Sequence, residues 1–188
     1  DIGRLAIEIS ECRHMGLKVL SPDVNQSYVE FGFVREESQI RFGMAAVKGV
    51  GTSAVEEVLR ARKDGEFKSI GDFAKRVSTS KFNRKAWESL IKSGGFDTLG
   101  DRSDLLFNLD TITGYASKVQ KDALSNQADL FGGLGDAVAI PEIKLEPAPT
   151  KHDERERLMW ERELLGLYLS AHPLDRYEAY FEEQTVPL

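Results

Sequence analysis

Apolar residues Ile2, Leu5, Ile9 and Cys12 recur at helical spacing, and Gly16 ends that run. Leu17–Leu20 reads as extended. Between Tyr28 and Val34 large and polar residues alternate, and Gln39–Phe42 can pair back across Arg35–Ser38. This predicts a small β-hairpin near the N-terminus. From Gly43 onward the period is helical. Met44–Val47 is expected as a short helix closed by Gly49-Val50-Gly51, and Thr52–Arg62 as a second, ending near Asp64-Gly65. Ser69 with Asp72 resembles a capping box for a helix through Val77. Asn83 can cap another, carrying Trp87, Leu90 and Ile91 and stopped by Gly94-Gly95. Asp101 or Ser103 opens a longer helix with Leu105, Leu109, Ile112, Ala116 and Val119 on one stripe. Residues 132–150 hold Gly132, Gly133, Gly135, Pro141, Pro147 and Pro149 without period, as in a linker or meandering loop. A charged helix from about Asp153 to Leu169 follows, and breaks at Ser170–Leu174. The fold class is therefore mainly α with a small N-terminal β-hairpin.

Composition adds bounds. The chain has 188 residues, 41% hydrophobic and 30% charged, enough for one good core or two small ones. No apolar run is long enough to span a membrane, and no basic-then-apolar leader is visible. One cysteine, Cys12, excludes an internal disulfide framework and a multi-cysteine zinc site. On an apolar helical face it reads as a small core residue. The cytoplasm is the default compartment. A chain that starts on Asp1, already in helical rhythm, is expected to be a segment of something longer. Charge is unevenly spread: residues 1–40 carry net −3, residues 41–100 net +5 and residues 101–188 net −8. A basic island in an acidic chain suits a phosphate partner, although a solvated lysine-rich surface looks the same on charge alone.

The sharpest local pattern is Val47-Lys48-Gly49-Val50-Gly51-Thr52-Ser53-Ala54-Val55. Glycines permit a tight turn and a close backbone approach. The helix beginning at Thr52 then points unsatisfied N–H groups and the positive end of its dipole out of the turn, which makes an anion site. Lys48 adds charge, and Thr52 and Ser53 add hydroxyls. This is the logic of the helix-hairpin-helix motif, which holds a DNA phosphate without reading a base. The plain alternative is an ordinary turn with a glycine cap. The motif's usual small alanine falls where this chain has Val55, so the helix packing is expected to differ slightly. Lys92-Ser93-Gly94-Gly95 is a second, less typical unit, equally readable as a simple helix C-cap. In Gln127-Ala128-Asp129-Leu130-Phe131, two adjacent large apolar residues lie beside a glycine-rich stretch. Either the fold or a partner must bury them. No Asp-x-Asp pair, phosphate loop, metal-spaced histidines or catalytic triad is apparent, so no catalytic or metal-binding residue is assigned.

The run Glu11–Asn25 resembles the end of the fingers domain of the bacterial DNA polymerase III α-subunit family. Ile40–Gly51 resembles that family's entry into its helix-hairpin-helix region, and Asn83–Asp97 its continuation. Gln127–Phe131 resembles its internal clamp-binding motif, with Gln127, Asp129, Leu130 and Phe131 as the docking residues. Leu165–Leu174 resembles the stretch leading toward the family's OB domain. These matches run in family order. The resemblance implies a fingers edge over 1–42, a DNA- and clamp-binding domain over 43–131, a linker over 132–150 and a helix toward an absent OB domain over 151–188. It implies duplex primer-template DNA, the sliding clamp and other replisome subunits as partners, with no membrane. It also implies a parent polymerase using two divalent metals, Mg, on palm aspartates. None of those positions lies in this chain, so the piece needs no cofactor and should not polymerise alone. Three alternatives remain at this point. A helix-hairpin-helix module of a repair ligase or nuclease would lack the clamp peptide. The error-prone α-subunit relative often relies on accessory proteins for clamp contact. A purely structural adaptor leaves the basic island unexplained.

Overall fold

A computed structural model of the chain describes residues 7, 9, 11, 12, 14–34, 38–129 and 141–170. Helical residues between 7 and 14 lead through Gly16 into strand β1 (Lys18–Leu20). Strands β2 (Gly32–Val34) and β3 (Gln39–Arg41) form the expected antiparallel hairpin, with Phe33 opposite Ile40. The sequence pattern missed that β1 also joins the sheet, parallel to β3, with Val19 opposite Ile40. The strand order is β1-β3-β2. Parallel pairing needs a long crossover, so it leaves no local turn signature. β2 starts only at Gly32, because the carbonyls of Tyr28 and Val29 already accept from the amides of Met44 and Ala45.

Met44–Ala46 is a single 3-10 turn, and six α-helices follow among the described residues. They are α1 (Thr52–Arg62), α2 (Ile70–Arg76), α3 (Arg84–Lys92), α4 (Arg102–Phe107), α5 (Leu109–Asp129) and α6 (Glu154–Leu165). Caps set most boundaries. Ser69 Oγ accepts from the Asp72 amide, and Asn83 Oδ1 from the Ala86 amide. The Asp72 carboxylate reaches back to the Lys68 amide, one residue before the cap, so the capping box is not closed on Ser69 itself. Asp153 and Glu156 do form a full capping box at the start of α6. That helix stops at Leu165 rather than Leu169, because Gly166 takes the left-handed conformation.

The long helix expected after Asp101 is two helices. Asn108 interrupts the stripe between α4 and α5. Its side-chain amide donates to the carbonyls of Asp104 and Glu146 and accepts from the Glu146 amide. Residues 141–150 have no regular structure, yet they are held against the helices. Tyr115 donates to the Pro141 carbonyl, the Ala148 amide donates to Asp104, and Ile143 and Leu145 pack on the core.

The core is a single cluster joining sheet and helices. Phe73 sits at its centre, with ring centroids of Phe67, Phe82, Trp87 and Phe96 at 4.7 to 5.2 Å, mostly edge to face. Trp87 is thus a core anchor. Cys12 and Trp160 pack at the core's margin. No described helix is long and apolar enough to cross a membrane.

Candidate nucleic-acid interface

The turn between the 3-10 segment and α1 is built from both sides. The Val50 amide donates to the Val47 carbonyl at 3.1 Å, and Gly49 adopts φ +90°, a conformation other residues rarely take. Val50 is buried and anchors the turn, while Lys48, Gly49, Gly51, Thr52 and Ser53 are exposed around it. The Lys48 amide donates to the Leu164 carbonyl at 2.9 Å, so the end of α6 holds the turn from outside. Val55 is fully buried in the core.

Gly51 is the N-cap of α1 in extended conformation, and no side chain caps the helix there. Its carbonyl takes the amides of Ala54 and Val55. The amides ahead of them have no intrahelical acceptor, and they lie at an exposed helix start with the positive dipole end behind them. A Cβ on Gly51 would meet nothing within 4 Å. A Cβ on Gly49 would meet Ser89 Oγ at 2.6 Å and Lys85 Cε at 3.1 Å. The two glycines therefore do different work. Gly49 lets α3 pack on the turn, and Gly51 leaves the amides open to a ligand. Lys85, exposed on α3, stands beside the turn although 36 residues separate it from Gly49. Sequence spacing offers no signal for that neighbour.

The second unit is packed differently. Ser93, Gly94 and Gly95 are buried, and the structure does not bring them to the surface. The Gly94 and Gly95 amides close the end of α3 on the carbonyls of Ile91 and Leu90. Arg102 lies over them, its side chain only 8% exposed. It donates to the Lys92 carbonyl at 3.1 Å and forms a two-pronged pair with Asp97 at 2.7 and 2.8 Å. Lys92 pairs with Glu88 and rests over the Trp160 ring. The following helix start is also occupied, because Asp101 accepts from the Ser103 and Asp104 amides. Hydrogen bonding from Lys151, aided by those amides, lowers the Asp101 pKa.

Much of the basic island is engaged within the fold. Arg62 donates to the carbonyls of Val24 and Ser27, and Arg76 to those of Ala61 and Gly65. Glu57 is buried on α1 and gathers Arg60, Lys81 and the Ser78 amide. The Arg60 hydrogen bond lowers the Glu57 pKa. Gln127 and Asp129 belong to the last turn of α5, which continues that far because no glycine or proline intervenes after Gly114. Leu130 and Phe131 lie outside the described residues.

Residues 16–105 match the family model described as helix-hairpin-helix motif. Proteins named DNA polymerase III subunit alpha align over most of the chain. The Campylobacter jejuni protein is 36% identical over 94% of this chain, the Deinococcus radiodurans protein 40% over 97%, and the Haemophilus influenzae protein 41% over 89%. The chain spans about 15% of the length of these relatives. At this level of identity along nearly its whole length, the chain belongs to the DNA polymerase III α-subunit family and carries its helix-hairpin-helix segment.

Proposed function

We propose that this chain supplies a replicative DNA polymerase α subunit of the bacterial cytoplasm with a sequence-independent grip on duplex DNA and a tether to the sliding clamp. The observation that carries the first part is the uncapped, exposed start of α1 at Gly51, with Thr52 and Ser53 around it and Lys48 beside it. Backbone amides and a lysine recognise a phosphate and carry no base information. Lys92, Ser93, Gly94 and Gly95 are given a structural part in this reading, because Arg102 and Asp101 fill the places a phosphate would take. The parent activity is addition of deoxynucleotides to a primer with two divalent metal ions. Among the described residues, no group of three or more His, Cys, Asp or Glu side chains is placed to hold a metal. Other replisome subunits are reached through the parent.

The tether is assigned to Gln127, Asp129, Leu130 and Phe131. Leu130 and Phe131 are adjacent large apolar residues followed by Gly132-Gly133, a pattern that suits burial in a partner's groove. Fully burying two such side chains contributes on the order of 1.5–3 kcal/mol each. Ordering the peptide offsets much of that, so affinity is modest. DNA held at the turn raises the effective concentration of the tether. Titrating duplexes of unrelated sequence across a salt series tests the first part: similar affinities that fall steeply with salt are expected. For the second part, Leu130→Ala with Phe131→Ala should abolish clamp binding and leave helical content unchanged. Unchanged clamp affinity, or loss of the fold, would contradict the assignment.

A further inference from the structure

We infer that the DNA backbone leaves the Gly49–Ser53 turn across the N-terminal end of α3, with Lys85 as a further phosphate contact and Arg84 and Lys81 beyond it, and does not cross to the Gly94–Gly95 turn. This rests on the first turn being a phosphate contact and names its neighbours. With φ at +90°, Gly49 directs its missing Cβ toward α3. The atoms that fill the space are Ser89 Oγ and the Lys85 stem, on residues one helical turn apart and hence on one face. The absence of a side chain at position 49 thus seats α3 against the turn and lays the exposed Lys85 stem beside Gly49, two residues before the N-cap of α1.

The positive charge continues in one direction. Arg84 and Lys81 follow at the same end of α3, each 56% exposed. Lys81 comes within 3.9 Å of Glu57 on α1. Glu57 lies six residues past Gly51, or about 9 Å of helical rise. Lysine and arginine side chains therefore border the α1–α3 junction from the turn outward. Three nearby carboxylates are matched, Glu57 by Arg60 and Lys81, Asp110 by Arg84, and Glu88 by Lys92, while Glu56 is an exposed carboxylate on α1 one turn past Thr52. On the side of the second turn, the charges are already taken up within the fold: Arg102 covers the turn and pairs with Asp97, and Asp101 is held by Lys151, Arg157 and the amides of the next helix start.

The test is a salt series on unrelated duplexes with the 188-residue chain and four variants: Lys85→Ala, Lys85→Arg, Gly51→Val, and Lys75→Ala on α2 as an exposed control. Losing one phosphate contact should make the log–log salt slope shallower by about 0.9. That loss is expected for Lys85→Ala on every duplex, with Lys85→Arg restoring the slope and Lys75→Ala matching the parent chain. If Lys85→Ala keeps the parent slope while Gly51→Val weakens binding, the path is wrong and the first-turn reading survives. If Gly51→Val also binds normally, the first-turn reading fails and the path falls with it. A Lys85→Ala loss that Lys85→Arg does not restore would assign Lys85 to packing and overturn the inference as well.

Discussion

The two glycine turns of this chain look alike in sequence and differ in what surrounds them. The Gly49-Val50-Gly51 turn delivers the start of α1 uncapped to solvent, with Lys48 and Lys85 alongside. The Gly94-Gly95 turn closes the end of α3 under Arg102, and the next helix start is filled by Asp101. Helix polarity explains much of the contrast. Carbonyls at the end of α3 attract a cation, and amides at a helix start attract an anion. The second unit supplies both counter-charges from its own chain, whereas the first leaves its amides uncapped. A glycine turn is therefore an anion site only when the protein does not provide the anion.

The comparison can be broken most severely at Arg102. Arg102→Ala removes the lid of the second turn and leaves Asp97 and the Lys92 carbonyl without it. Removing one partner of a buried pair costs about 3–5 kcal/mol. Asp97 is half exposed, so a loss of roughly 2–3 kcal/mol in a denaturant melt is expected, below that range. Next is Gly49→Ala, which forces a side chain into the left-handed region and against Ser89. A thermal melt should show a loss of about 1–3 kcal/mol. Asp101→Ala removes a helix cap and should cost about 1 kcal/mol, reduced by its partial exposure.

Asp101 also carries a pH signature. Its folded pKa is lowered, chiefly by Lys151, so its stabilisation is present above the ordinary aspartate pKa. That stabilisation is lost as pH falls through the lowered value. Melts between neutral and acid pH should therefore fall more steeply for the parent chain than for Asp101→Asn. The smallest stability effect is expected at Gly51. Gly51→Val fits the extended backbone and open space there, and should cost about 1 kcal/mol or less.

These differences also mark what the sequence could tell. The span of α1 and the caps at Ser69, Asn83 and Asp153 were legible, because glycine, serine, asparagine and aspartate act on amides two or three residues away. The first turn was legible for the same reason. What escaped depends on distant partners. The parallel strand β1 pairs with β3 across a long connection. Asn108 breaks the helical stripe by bonding to Glu146, 38 residues on. The burial of Ser93–Gly95 follows from where Arg102 folds back, and the place of Lys85 follows from how α3 packs on Gly49. The basic island overstated the exposed charge, since Arg62 and Arg76 spend their guanidinium groups on backbone carbonyls.

The central claim is that the open amides at Gly51 hold the DNA backbone, and the most direct measurement is duplex affinity of Gly51→Val against the parent chain. The account predicts a clear loss of affinity on every sequence, with a shallower salt slope and a nearly unchanged melting temperature. An unchanged affinity and slope in a folded Gly51→Val protein would contradict it.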